Sequence, residues 1–582
     1  MSTLYQPSPR ANHKFSERCG AHVFAEALQR HGVKYLFGQS IPSALHLVAP
    51  DYGMRQVAYR TENAGAVMAD GFARMSNQVP VVTAQNGPAA TLLVPGLAEA
   101  LKASIPIVAI VQDVHRKFTD RNAFQELDHI ALFQGSAKWI RRVSEITRID
   151  DYVDMAFAAA SSGRPGPAVL IAPIDLFEET VGTSQNIIDK KRATNLGTFP
   201  LDRFGADQAQ VEKAAALIAA AERPVVIAGG GVHVSQACEA LAALQEKASL
   251  PVGTTAMGKG TVSEDHPLSL GVVGYFMGKR GMARYHRQLV TKADVVVLVG
   301  NRTNQNGTDS WGLYPPGATY IHIDIDGQEV GRNYDALRLV GDARPTLEAL
   351  TEALSRQDLS KRQAARSGLE AKIAEGREKH RTEALEMTQS DQSPIRPERL
   401  MAEIDTHLTK DSVVVADASF ASIWITNFLK ARAAGQRFLS PRGLAGLGWG
   451  LPMAMGAHVA DPSREIFCVV GDGGFGHVWS ELETARRMDM KLILFVLNNS
   501  ILGYQEHAED LFFGDHTDAC RFVAVDHAAI ARAVGCAGIR VENPAELAAA
   551  IEQAKAHNGL TLIDVITDDR AFPPVTAFDE KY

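Results

Sequence analysis

The chain has 582 residues, of which 46% are hydrophobic, 22% charged and 7% aromatic. At about 150 residues per domain this predicts three or four domains with ample core material, and excludes disordered, collagen-like and coiled-coil readings. Lys and Arg number 59 against 67 Asp and Glu, a net charge of −8. That excludes a general nucleic-acid binder, because neutralising phosphates needs a basic surface. No run of about 18 apolar residues predicts a membrane span. The opening MSTLYQPSPRANHKF lacks the apolar stretch of a secretory signal. Cys19, Cys238, Cys468, Cys520 and Cys536 are scattered, with no CxxC, which fits buried thiols in a reducing cytoplasm.

Three stretches alternate short apolar runs with Ala-rich helical patterns, the texture of βαβ units and parallel sheets. In residues 14–185 the strands read VKYLFG, PVVTAQ, IPIVAIV and GPAVLIA. The short strand-like RQVAYR leads to an Ala/Gly-rich helix that opens at Glu62. A glutamate there is favoured by the helix dipole alone. Residues 179–206, rich in Thr, Ser, Asn and Gly, read as a join. Residues 205–355 hold PVVIAGG, LPVGTT, DVVVLVG and YIHIDID. Within them Gly253 to Gly260 nearly spells a phosphate-binding P-loop, but no hydroxyl residue follows Lys259 to hold magnesium, so ATP hydrolysis is discarded. Residues 355–396 are densely charged and read as a solvated helix and linker. Residues 395–572 hold SVVVAD, IFCVVGDG, LILFVLNN and LTLIDVI.

The sharpest signal lies in this last stretch. Gly471-Asp472-Gly473 ends one strand, and Asn499 ends the next, 27 residues after the aspartate. A right-handed crossover brings both to the carboxyl edge of one sheet, where open α/β sheets bind ligands. A carboxylate and an amide oxygen there suit Mg2+, which shares its shell with phosphate oxygens. Gly473 and Gly474 free backbone N–H groups for a diphosphate, with a helix start beyond. A lone Gly-Asp-Gly is ordinary turn chemistry; the strand–helix–strand frame gives this one its meaning.

GDGGF with its downstream Asn-Asn resembles the thiamine-diphosphate motif, and nearly the whole chain resembles the acetolactate synthase large (catalytic) subunit group. LPVGTTAMGKGTVSEDHPLSLG and LSPRGLAGLGWGLPMAMGA carry that likeness too. The resemblance implies three doubly wound parallel-sheet domains: pyrimidine-binding, middle and diphosphate-binding. It implies Mg2+ on Asp472, Asn499 and the carbonyl of Ile501, and thiamine diphosphate held by Pro88, Ser419, Gly446, Leu447, Gly471, Gly473, Gly474 and Gly503. Leu447 would wedge the bent cofactor. Glu62 would hydrogen-bond its pyrimidine ring as a protonated donor, a task that apolar surroundings favour. Gln125, in NAFQE, would orient a small 2-oxo acid or acyl substrate, with Asn86 of QNGPAAT beside it. Glu62 and the diphosphate site would meet across subunits of a homodimer or homotetramer.

On the substrate side the likeness breaks. Ile174 and Ala508 stand where that group carries Lys and Trp, and FGQSIPSALH replaces its YPGG-type loop. No paired histidines occur, which argues against the simple pyruvate decarboxylases. Decarboxylation with carboligation therefore has alternatives: a 2-hydroxyacyl-CoA lyase or oxalyl-CoA decarboxylase, a sulfoacetaldehyde acetyltransferase, or an inactive structural homologue. Arg164 of the first domain, with Gly230 and Gly231 of the middle domain, resembles FAD contacts. Arg302 and Asn304 of GNRTNQ resemble those of ADP- or CoA-binding members, with Asp324 on the following strand. An empty middle domain is the third alternative.

Overall fold

A computed structural model describes residues 17–181 and 192–581. The outer bounds expected for the first domain, 14 and 185, and much of the join after it lie outside the described residues, as does the amino-terminal peptide.

Each apolar run becomes a buried strand, and every strand pairing in the three sheets is parallel. Long Val/Ile/Leu runs are what parallel strands covered on both faces require. The first sheet runs Arg55–Val57, Tyr35–Phe37, Val81–Ala84, Val108–Asp113, Ala168–Pro173, Trp139–Arg142. The second runs Ala336–Val340, Thr319–Asp324, Val295–Val299, Pro224–Ala228, Val252–Thr254, Ser269–Val272. The third runs Phe438–Leu439, Val413–Ala416, Ile466–Gly471, Ile493–Asn498, Thr561–Ile566, Ala537–Val541. Five strands were not anticipated: Trp139–Arg142, Ser269–Val272, Ala336–Val340, Phe438–Leu439 and Ala537–Val541. All five are sheet edges. An edge strand is short, or half-exposed with charge in it, and so lacks the apolar run that marks a central one.

The charged stretch is not a free connector. It forms the helix Ser360–Thr388, which docks on the middle domain. Buried Arg362 donates to the carbonyls of Ala221, Glu222 and Ser249, and His286 bonds the carbonyl of Ile373.

The first and third domains share one hydrophobic core. Its seam is the pair of helices Glu62–Ser76 and Gly450–Ala460. A Cβ on Gly71 would lie 2.2 Å from the Met453 carbonyl oxygen, and one on Gly456 1.8 Å from that of Met68. Backbone touches backbone here, so neither site can give way. Gly456→Val should cost about 1–3 kcal/mol or more by overpacking. Thermal unfolding reads this as a clearly lowered midpoint; an unchanged one would contradict the close approach.

Candidate active site

The strands Ile466–Gly471 and Ile493–Asn498 are neighbours, with Gly471 opposite Leu497. Asp472 and Asn499 therefore leave the same sheet edge. Asp472 is 7% exposed. Its Oδ2 accepts from the N–H groups of Asn499 (3.1 Å) and Ser500 (2.6 Å), and its Oδ1 from Gly473 N–H (2.8 Å). Burial nevertheless raises its carboxyl to about 6. Among the described residues no Lys, Arg or His pairs with it. A buried carboxylate held only by backbone dipoles leaves a place for a cation, and with the Asn499 side-chain oxygen the donor set is all oxygen, as Mg2+ requires. The two asparagines divide the work. Asn498 turns inward to Asp564 and the Val525 carbonyl, while Asn499 borders the cavity.

That cavity encloses about 560 Å³, open solvent at its mouth included. Ser419, Leu447, Gly471, Asp472, Gly473, Gly474, Asn499, Ile501 and Gly503 all line it. Gly471 faces open space. Gly474 instead makes room for the protein itself: a Cβ would lie 2.1 Å from Asp417 Oδ2. A Cβ on Gly473 would press on Leu502 and Phe522. Asp472–Phe475 forms one short helical turn, and the helix Glu481–Arg487 follows after a further turn. Gly446 does not line the cavity; a Cβ there would strike the Trp449 ring.

Sequence reasoning missed the carboxylates that hold the surrounding loops. Asp417, at the end of VVVAD, accepts from the N–H groups of Ala418, Gly448, Trp449 and Gly450, and so fixes the loop that carries Leu447. Its one sequence signal was an acid at a strand end, as in Gly-Asp-Gly. Glu99, from the first domain, accepts from Gly443, Leu444 and Ala445 on the same loop. Glu481, from the third domain, accepts from Arg60 and Thr61 just ahead of Glu62. Ser419 has φ 62°, Ala445 63° and Ser500 60°. Such strain in non-glycine residues persists where the surroundings over-determine the backbone.

Glu62 is the first residue of its helix, which Thr61 caps by accepting from Ala64 N–H. It is 7% exposed, and burial raises its carboxyl. Among the described residues no side chain bonds it. Pro88 starts the helix Pro88–Ala103 behind a turn at Gly87, whose N–H bonds His129 Nε2. Asn86 donates its side-chain amide to the carbonyls of Phe124 and Gln125, and Gln85 donates to Gln125 Oε1. Asn86 and Gln125 are thus brought together, with Asn86 holding the Gln125 backbone. Within one chain Glu62, Asn86, Pro88 and Gln125 do not line the third-domain cavity.

Arg164, Gly230, Gly231, Arg302 and Asp324 all line a second cavity of about 1130 Å³, mouth included, bordered by all three domains. Arg164 pairs with Glu329 at 3.1 Å, Arg302 donates to the Lys102 carbonyl, and burial raises Asp324 to about 6. Lys259 of the near-P-loop is buried in an ion pair with Glu264 at 2.7 Å, which leaves no ammonium for a phosphate.

Three parallel-sheet domains with an acid–amide pair at adjacent strand ends define an enzyme built around a diphosphate-bearing cofactor. Models of the thiamine pyrophosphate enzyme match in three places: the N-terminal TPP binding domain over residues 18–132, the central domain over 211–350 and the C-terminal TPP binding domain over 417–565. The chain is 33% identical over 560 residues to a probable acetolactate synthase large subunit of Methanocaldococcus jannaschii, covering 94% of this chain and 92% of that protein. It is 29% identical to the acetolactate synthase isozyme 2 large subunit of Escherichia coli K12, covering 94% and 96%. It is also 29% identical to the glyoxylate carboligase of Escherichia coli O157:H7, covering 91% and 89%. The chain belongs to the thiamine pyrophosphate enzyme family, in its acetolactate-synthase-like group, and is a thiamine-diphosphate-dependent enzyme of carboligase or decarboxylase type.

Asp417→Ala strands four backbone N–H groups and frees the Leu447 loop. At about 1–3 kcal/mol for each unsatisfied buried group, thiamine diphosphate affinity should fall at least about tenfold in calorimetric titration with Mg2+. Wild-type affinity would show that the loop does not depend on this carboxylate.

Proposed function

We propose that this enzyme decarboxylates a small 2-oxo acid and joins the remaining unit to an acceptor, with thiamine diphosphate and Mg2+ in the third-domain cavity. The observation that carries the reading is the buried Asp472 carboxylate beside Asn499, bonded to backbone N–H groups and lacking a side-chain cation. In this reading Asp472, the Asn499 amide oxygen and the Ile501 carbonyl hold the metal. Ser419, Gly471, Gly473, Gly474 and Gly503 border the diphosphate, and Leu447 supports the rings. The bound cofactor supplies an electron sink for the carbon next to a carbonyl. Burial favours the neutral form of the Glu62 carboxyl, which suits it to donate a hydrogen bond to the pyrimidine ring. Gln125 presents its amide to the substrate from a backbone held by Asn86. The relatives' names, acetolactate synthase and glyoxylate carboligase, support a 2-oxo acid as donor. Glu62, Asp472 and Asn499 together speak against an inactive homologue.

The site is completed by a second copy of the chain, as homodimer or homotetramer. Glu62 and the third-domain cavity do not meet within one chain. The domains that carry them expose apolar side chains, Phe124 (84%) and Leu92 on the first, Phe513 (81%) and Val523 on the third. Such patches mark protein interfaces. The middle cavity, with Arg164 and Arg302 in its wall, suits a nucleotide: FAD, or the ADP part of coenzyme A, which keeps the acyl-CoA reading open. The five cysteines form no disulfide, which supports a reducing compartment, the cytoplasm. Among the described residues no helix is long and apolar enough to cross a membrane.

Glu62→Gln should bind cofactor normally yet lose about 10²–10⁴ in rate, the range of general acid–base contributions. NMR of proton exchange at the thiazolium carbon reads this directly; wild-type exchange would remove Glu62 from the mechanism. Asp472→Ala should abolish Mg2+-dependent cofactor binding, and unaltered calorimetric affinity would sink the metal assignment. Mass spectrometry of molecules released from undialysed protein decides between FAD and coenzyme A in the middle cavity.

A further inference from the structure

Arg442 stands in the wall between the two cavities. It lines the middle cavity. Its Nη2 donates to Ser422 Oγ, on the helix Phe420–Phe428, whose first residues Phe420 and Ala421 line the third-domain cavity. Five residues further along the chain is Leu447, lining that same cavity. The Phe276 ring lies under the guanidinium, with Cζ 5.0 Å from its centroid.

This charge is poorly paired. Nε is buried without a hydrogen-bond partner, and among the described residues Nη1 has none either. Among the described residues no carboxylate lies within 4.0 Å. Glu99, which feels its field, is committed to the N–H groups of Gly443, Leu444 and Ala445. Three nearby arginines are matched by carboxylates, Arg74 with Asp70, Arg164 with Glu329 and Arg203 with Asp342, while Arg302 in the same cavity wall is held by the Lys102 carbonyl. Burial lowers the Arg442 guanidinium to about 10, which leaves it charged at neutral pH. One serine hydroxyl does not answer five donors. A buried charge is costly unless it is paired, and a planar guanidinium pairs best with a carboxylate.

We propose that Arg442 binds the carboxylate of an acidic substrate, and so selects acids over neutral carbonyl compounds. The proposal rests on the thiamine reading above. It further assigns which carboxylate is held. A carboxylate that departs as carbon dioxide loses its charge, and pairing it with a guanidinium would stabilise the state before the loss. The carboxylate at Arg442 is therefore one that survives in the product, that of an acid acceptor.

The test titrates holoenzyme, loaded with thiamine diphosphate and Mg2+, with oxamate, an unreactive 2-oxo acid isostere, and with its neutral ethyl ester, by saturation-transfer NMR. Wild type should bind oxamate at least about tenfold more tightly than the ester, the scale of a charge-assisted hydrogen bond. Arg442→Met should abolish that preference without changing thiamine diphosphate affinity, and Arg442→Lys should keep part of it. Equal binding of acid and ester by wild type overturns the proposal, and this comparison needs no variant to fold. So does a preference that survives in Arg442→Met. If Arg442→Met instead loses ADP and keeps oxamate, the anion belongs to a nucleotide and the proposal fails. Failure of wild type to bind thiamine diphosphate would refute the thiamine reading instead, on the same preparation.

Discussion

A carboxylate buried at a sheet edge, with no cationic side chain to meet it among the described residues, is the constraint on which the rest of this structure depends. Asp472 is held by three backbone N–H groups, from Gly473, Asn499 and Ser500. Those dipoles lower the cost of burying the charge without cancelling it, and the acid's raised pKa records the remainder. The adjacency of two parallel strands sets the carboxylate and the Asn499 amide side by side.

The same device recurs around the cavity. Asp417 and Glu99 grip the two ends of the loop that carries Leu447, and Glu481 grips the turn before Glu62. Each is a buried carboxylate accepting backbone N–H groups, and two of them reach from one domain to another. The first and third domains are therefore coupled twice: by the glycine-lined helix seam, and by carboxylates that bond loops directly at the site. A substitution in one domain is transmitted to the other through backbone, with little side-chain slack to absorb it.

Much of this was legible in the sequence. Central strands announce themselves as apolar runs, and the Gly-Asp-Gly to Asn spacing places two ligands on one edge. Five of the six edge strands were not legible; Trp139–Arg142 and Ala537–Val541, for example, have charge and exposure in place of an apolar run. Glu99 and Glu481 were not legible either. Their partners are backbone groups some 344 and 421 residues away, and backbone has no letter in a sequence. The middle-domain residues were gathered by resemblance and line one cavity, yet Arg442, within a segment already singled out, gained meaning only when its missing counter-charge could be seen. Glycines 473 and 474, read as clearance for a ligand, line the cavity and also clear Asp417, Leu502 and Phe522, which no sequence pattern announced.

The central claim is that Glu62 of one chain works with Asp472 of another. Subunit mixing tests it most directly. Glu62→Gln and Asp472→Ala chains are co-expressed with different tags, hybrid dimers are isolated, and proton exchange at the thiazolium carbon is followed by NMR. Each parent homodimer should be inactive. A shared site predicts that the hybrid regains exchange, since one of its two sites then holds an intact Glu62 and an intact Asp472. A hybrid as inactive as its parents would place both residues of a working site in one chain and contradict the account.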